Sequence, residues 1–170
     1  AVDNTGHVYV TDRSNKLVKK ISPDGAVTTL QANGSDILFD TPFGIVIDKQ
    51  NNIFVSDIGR NQIRKITPAG QNTIYVSGFS PGLMALDNAG NLYVNINSAF
   101  AGMNKVNTAG SVTKVTGPLW PMARAVVDAS GALYYVDSGS SSNNAISNIV
   151  SGGSNIGNWV GFSDPGYADG

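Results

Sequence analysis

The chain has 170 residues, of which 41% are apolar and 14% charged, with a formal net charge of −1. That length suits one domain with a packed core, and the near-neutral balance argues against nucleic acid or an anionic membrane surface as partner, since either needs a basic patch. There is no cysteine, which excludes disulfides and thiolate metal sites.

All twelve acidic residues are Asp and none is Glu, beside 20 Gly and many Asn, Ser and Thr. Glu favours helices, whereas Asp favours turns and caps, so strands joined by tight turns are expected. No run approaches the 18 apolar residues of a membrane-spanning helix. The Asn/Ser/Gly/Thr richness points to a secreted, periplasmic or cell-envelope protein of a bacterium.

The first predicted unit opens at Asp3. A turn closed by Gly6 leads into a strand at 8–12, then a loop at 12–16 and a second strand at 17–22. The turn Ser22–Gly25 follows, its first corner preset by Pro23, and a more exposed strand covers 27–31. A linker ends in Phe39-Asp40-Thr41-Pro42, and an apolar strand at 43–47 reaches Asp48, where the pattern restarts. It restarts again at Asp87 and Asp128, giving spacings of 45, 39 and 41 residues. Periods in this range mark propeller or solenoid repeats.

Aligned on those Asp residues, the fourth position is Gly6, Asn51, Gly90 or Gly131, residue types that tolerate a left-handed backbone. The strand that follows carries Val8, Ile53, Leu92 or Leu133, then Tyr9, Phe54, Tyr93 or Tyr134, then Val10, Val55, Val94 or Tyr135. Both of its faces are therefore expected to be buried. The next strand holds apolar pairs three apart: Val18/Ile21, Ile63/Ile66, Met103/Val106 and Ile146/Ile149. A helix would accept that spacing, but about six residues ending at a Gly turn favour a strand. The strand preceding each aligned Asp is continuously apolar, as expected of an innermost strand at a crowded axis. Each unit is thus predicted to be four antiparallel strands, a propeller blade.

The segment 42–70, with its Pro-x-Gly, Asp, small turn, Ile-Phe-Val-x-Asp and Ile-x-Lys-Ile-x-Pro-x-Gly positions, resembles the NHL repeat. The resemblance implies an all-β propeller of four-stranded antiparallel blades at about 1–31, 42–78, 81–117 and 121–161 in one region spanning 1–170. Residues 162–170 would begin a linker to a further blade. NHL propellers commonly have six blades, so the chain is expected to be part of a six-bladed or larger ring. Further blades or a second copy of the chain would then close the ring. Two departures stand out: Ile96 replaces the Asp that ends the second strand in the other units, and the fourth unit has Ser147 and Asn148 where others are basic.

The related enzymes set a comparison. Gluconolactonase-like and strictosidine-synthase-like propellers use a Glu near the axis, and amidating and streptogramin lyases depend on His. This chain has no Glu, and His7, the single histidine, reads as a turn residue. The expected function is therefore a non-catalytic ligand-binding, protein-binding or scaffolding module acting through loops at one face. The alternatives are a propeller enzyme fragment of lactonase or lyase type, with its catalytic residues in further blades, and an RNA-binding NHL domain. Partners are expected to be a protein, peptide or glycan. The contact candidates are Arg13, Asn15, Arg60, Asn61, Asn97, Phe100, Trp120 and Asn143. No cofactor is expected, with Ca²⁺ at Asp12, Asp57 and Asp137 in second place. The simpler reading has each of these three Asp capping the loop that follows it. Arg13, Lys16, Lys19, Lys20, Arg60, Arg64 and Lys65 form a basic stripe, read as solvated strand faces. Asn33-Gly34-Ser35 also fits a glycosylation sequon.

Overall fold

Four residues at the head of each repeat fix its local structure. The carbonyl of Asp3 accepts from the Gly6 N–H (3.1 Å), and the Asp3 N–H donates to the His7 carbonyl (3.0 Å). The same pair of bonds closes the turns headed by Asp48, Asp87 and Asp128. The fourth residue is left-handed every time, with φ 86° at Gly6, 60° at Asn51, 85° at Gly90 and 89° at Gly131. This is a three-residue hairpin loop with a left-handed closing residue, whose twist suits the strands it joins. Each Asp carboxylate then accepts from the backbone N–H groups two and four residues on: Thr5 and His7, Gln50 and Asn52, Ala89 and Asn91, Ser130 and Ala132.

A computed structural model describes residues 1–98, 102–115, 124–137, 145–149 and 155–160, with the side chains of 136, 137, 145–149 and 155–160 excepted. In chain order the strands are β1 (Val8–Asp12), β2 (Leu17–Ile21), β3 (Val27–Thr29), β4 (Gln31–Ala32), β5 (Ser35–Asp36), β6 (Pro42–Ile47), β7 (Ile53–Asp57), β8 (Gln62–Ile66) and β9 (Asn72–Ser77). They continue as β10 (Pro81–Leu86), β11 (Leu92–Ile96), β12 (Met103–Val106), β13 (Val112–Lys114), β14 (Arg124–Val127), β15 (Leu133–Asp137), β16 (Ala145–Ile149) and β17 (Asn155–Val160). They form antiparallel sheets in sequence order: β1-β2-β3, then β6-β7-β8-β9, β10-β11-β12-β13 and β14-β15-β16-β17. A single antiparallel bridge, Val2 to Val8, extends the first sheet on the β1 side. The chain forms two compact units, Ala1–Gly82 and Leu83–Gly170. Among the described residues no helix is long and apolar enough to cross a membrane.

The apolar pairs three apart lie on strands, so their members point to opposite faces. Ile63 and Ile66 are both essentially inaccessible, as are Met103 and Val106. One packing rule governs each unit. In the first, Tyr9 and Val18 of one sheet join Ile53, Val55 and Ile66 of the next in a single core, sealed by Leu30, Ile37 and Phe39. In the second, Tyr93 and Met103 join Leu133 and Tyr135. The aromatic face of one blade thus lies on the apolar face of its successor.

Three lysines, Lys20 and Lys65 of the basic stripe and Lys105 outside it, have a specific role in these sheets. Tyr9 pairs with Lys20, Phe54 with Lys65 and Tyr93 with Lys105 across the strands. Each ammonium lies over its partner's ring, at 5.8, 5.6 and 5.3 Å from the centroid. These cation–π pairs replace the expectation of merely solvated lysines. In the fourth blade Asn148 stands opposite Tyr134, where the others have Lys.

Three other expectations are corrected. Residues 31–36 are not a plain linker: β4 and β5 form a hairpin turning at Asn33 (φ 51°) and Gly34 (φ 76°). Asn-Gly supplies the two left-handed residues that such a two-residue turn requires. The first strands β6, β10 and β14 are only half-buried, and Val126 is 66% exposed, because each is the edge of its sheet and is paired on one side only. In the first blade Val10 is 45% exposed, so β1 is covered on its Tyr9 face while β7 is buried throughout.

His7 takes the place that Asn52 and Asn91 hold in the second and third blades. Those amides donate to Asp48 and Asp87 at 2.7 Å. The His7 Nδ1 lies 3.2 Å from the Asp3 carboxylate and 2.8 Å from the Thr5 hydroxyl. Partial burial would push the Asp3 carboxyl up, but donation from the Thr5 hydroxyl, the His7 and Thr5 N–H groups and the Tyr9 hydroxyl holds it well below its ordinary value of 3.8. Burial, with the bond to Asp3, pushes the Tyr9 phenol up to about 12.

Two predictions follow from this geometry. Ile66→Ala should cost about 2–5 kcal/mol in urea unfolding, whereas Ile74→Ala, at a side chain 61% exposed, should cost about 0.5 kcal/mol or less. Because the folded Asp3 carboxyl titrates below its unfolded value, its contribution is complete above the ordinary carboxylate range and is lost as pH falls through the lower folded value. Stability measured against pH should therefore fall on acidification, and Asp3→Asn should flatten that slope.

Candidate functional site: the loop face of the first two blades

The loops that follow β1 and β7 lie against one segment, Ile37–Thr41, which runs between the first two blades as a strap. Alternation along it sets its role. Ile37 and Phe39 are buried in the core, at 3% and 1% exposure, while Leu38 between them is 61% exposed. Its backbone is held from both sides. The Phe39 N–H donates to the Lys16 carbonyl (3.0 Å), and the Thr41 carbonyl accepts from the Ile58 N–H (3.0 Å).

The main anchor is Asp57, a carboxylate with no exposed surface. It accepts from the Asp40 N–H (3.0 and 3.2 Å) and the Thr41 N–H (2.8 Å), with the Arg60 guanidinium at 3.9 Å. Asp57 therefore caps the incoming strap rather than the loop that follows it. Loop and strap meet so closely that a Cβ on Gly59 would collide with the Asp40 carboxylate. Asp12 does cap its own loop, through the Asn15 side-chain amide (2.8 Å) and N–H (3.2 Å), and that amide bond lowers its carboxyl pKa. The Lys16 ammonium pairs with Asp40 at 2.9 Å and holds that carboxyl below its ordinary value, first by the hydrogen bond and then by its charge.

The arginines complete the surface. Arg60 Nη1 donates to the Leu38 carbonyl at 3.0 Å, and Arg64 Nη1 approaches the same oxygen at 3.4 Å. Arg64 also donates from Nε to Asn72 (3.0 Å) and lies 5.7 Å from the centre of the Phe39 ring, partly buried, with its pKa lowered by desolvation. Arg13 lies 5.9 Å from the Phe43 ring centre. The two blades are joined further by Thr11, whose hydroxyl donates to the Phe43 carbonyl (3.0 Å), while within the second blade Ser56 accepts from the Gly44 N–H (2.6 Å).

Of the predicted contact residues, Arg13, Asn15, Arg60 and Asn61 thus converge on one end of the first unit. Asn61 is left-handed (φ 51°) and closes the 3₁₀ turn Ile58–Arg60, and its carbonyl accepts from Gly78 (3.0 Å). Asn97 lies in a bend after β11, in the second unit. Phe100, Trp120, Asn143 and the Asp137 side chain lie outside the described residues. Among the described residues no group of three or more His, Cys, Asp or Glu is placed to hold a metal ion. Sequence reasoning missed Leu38 and the strap. The available signal was the alternation of Ile37, Leu38 and Phe39 inside a segment read only as a linker. The small polar residues Thr11, Ser56 and Asn95, at one repeat position, were a second unread signal.

No protein-family model matches the chain, and no curated protein matches it in sequence. Solved structures do. A catalytically inactive histidine-to-alanine variant of virginiamycin B lyase from Staphylococcus aureus, with quinupristin, is 19% identical at a TM-score of 0.70, covering 98% of this chain and 55% of that one. The nidogen/laminin complex contains a chain 21% identical at a TM-score of 0.71, with 86% and 57% covered. A gluconolactonase from Xanthomonas campestris is 16% identical at 0.66, with 85% and 54% covered. The fold is therefore that of a β-propeller, and the chain spans about half the length of the structures it matches. Those structures include both enzymes and a propeller in a protein complex.

If Asp57 anchors the strap, Asp57→Ala leaves the half-buried Asp40 and Thr41 N–H groups without their acceptor and should destabilise the chain by about 1–3 kcal/mol. Amide exchange at residues 37–41 should accelerate more than at β8. An unchanged exchange rate in the strap would show that the core contacts of Ile37 and Phe39 suffice to hold it.

Proposed function

We propose that the chain is a non-catalytic binding module of NHL type that engages a protein or peptide through the loop face of its first two blades. The observation that carries this reading is Leu38. It is a large apolar side chain, 61% exposed, on a segment whose backbone is fixed by Asp57, Lys16 and Arg60. Apolar surface flanked by arginines is interface chemistry, and a strap already ordered loses little conformational freedom on binding. An extracytoplasmic setting accords with the composition, and further blades or a second copy would complete the ring.

A second reading, a propeller enzyme of lactonase or lyase type, draws on the virginiamycin B lyase and gluconolactonase likenesses. In that reading the reacting groups belong to other blades. The RNA-binding reading draws on Arg13, Arg60 and Arg64, but Arg60 and Arg64 are already committed to the strap carbonyl.

A displayed peptide library selected on the intact chain tests the proposal. Recovered peptides should lose about tenfold or more in affinity with Leu38→Asp and little with Val112→Asp, an exposed position in the second unit. Peptides insensitive to Leu38→Asp would refute this face. Turnover of an aldonolactone by the chain alone would refute the non-catalytic reading.

A further inference from the structure

The β4–β5 hairpin is the weakest pairing in the first unit. It has two rungs, Gln31 with Asp36 and Ala32 with Ser35, whereas β2 and β3 share three and the other strand pairs of the first two blades four or five. Its tip, Asn33-Gly34, is exposed, and a Cβ on Gly34 would meet no atom within 4 Å. Leu30 and Ile37, on either side of the hairpin, are held in the core. The tip can therefore open while the core beneath it stays folded, since so short a hairpin has little stability of its own.

Asn33 is the one asparagine of the chain that a glycine follows. Glycine has no side chain to shield its own nitrogen from the carboxamide that precedes it. The other turn and loop asparagines supply controls. The side-chain amides of Asn4, Asn15, Asn52, Asn88 and Asn91 each donate to a carbonyl or a carboxylate. Asn61 shares the left-handed backbone of Asn33, but its N–H and carbonyl are bonded to Ile58 and Gly78, and the buried Gln62 follows it. The Asn33 side chain has no hydrogen-bond partner among the described residues, and the Gly34 N–H lies outside both rungs of the hairpin.

From this arrangement we propose that Asn33 is a site of spontaneous covalent modification, in which its amide becomes a carboxylate through a cyclic imide formed with Gly34. The ring closes when the hairpin opens and Asn33 leaves its left-handed conformation. The Gly34 nitrogen gives its proton to hydroxide and attacks Asn33 Cγ. The new N–Cγ bond replaces the Cγ–Nδ2 bond, and Nδ2 takes a proton from water and leaves as ammonia. Water then opens the imide. Attack at Cγ gives aspartate, and attack at the main-chain carbonyl carbon gives isoaspartate, with the chain rerouted through Cβ and Cγ. Isoaspartate lengthens a two-residue turn by one carbon, which its backbone cannot absorb with both rungs kept. The next bond along is the Ile37 N–H to the Leu30 carbonyl (3.3 Å), so the change reaches the start of the strap.

The test is incubation of the intact folded chain, at neutral and at mildly alkaline pH, in water labelled with heavy oxygen. Peptide mapping by mass spectrometry, with fragmentation that separates aspartate from isoaspartate, then reads each asparagine, and a urea-unfolded sample runs in parallel. Asn33 should convert before any other asparagine, at a rate proportional to hydroxide, with one labelled oxygen gained and isoaspartate among the products. Because only the open hairpin reacts, conversion should be about 10–100-fold slower than in the unfolded chain. The isolated isoaspartate form should exchange its Ile37 amide faster than the unconverted chain. An Asn33 that stays intact in the folded chain while the unfolded one converts, another asparagine converting first, a product free of isoaspartate, or unchanged exchange at Ile37 would each overturn the proposal. The comparison needs no substitution, so it does not depend on a variant that folds.

Discussion

A blade of this chain cannot bury both faces of its own second strand. β7 carries Ile53 and Val55 on one face and Phe54 on the other, and all three are buried. A four-stranded sheet in isolation would leave each face in water, so the repeat is stable only when stacked. The rule is visible twice, in the Tyr9–Ile53 core of the first unit and the Tyr93–Leu133 core of the second. Asn4 and Asn88 reinforce it by reaching from one blade's turn to a carbonyl of the next, Lys49 at 2.9 Å and Ala129 at 3.3 Å.

Stacking also explains the strap. The wedge between two sheets needs filling, and Ile37 and Phe39 fill it in the first unit. Carrying apolar side chains inward brings backbone N–H groups with them, and those must be paired. The buried Asp57 carboxylate meets that need for two of them. Leu38 then faces outward as a consequence of strand-like alternation. The surface offered to a partner is thus generated by the same constraint that builds the core.

Much of this was legible in the sequence because turn chemistry is local. Asp at the head and Gly or Asn at the fourth position specify a hairpin on their own, and the four copies agree. The strand identity of 17–22 and its equivalents could be decided from length and breakers against a misleading helical spacing. Long-range pairing was less legible. Asp57 looked like a cap for its own loop, since its partners Asp40 and Thr41 lie upstream and only folding brings them close. The roles of Lys20, Lys65 and Lys105 depend on cross-strand register, which becomes specific only when Tyr9, Phe54 and Tyr93 are known to stand opposite them. The Asn33–Gly34 hairpin was written in the sequence but passed over in favour of its reading as a sequon. For Leu38 there was a local alternation, but its significance required knowing that both neighbours are buried.

The central claim, that second strands buried in the stacked cores hold each unit together, is tested most directly by residue-resolved amide hydrogen exchange on the intact chain. The account predicts that Ile53–Asp57 and Leu92–Ile96 exchange slowest within their units, and that the outer strands Asn72–Ser77 and Val112–Lys114 exchange far faster. Equal protection of second and outer strands would contradict it.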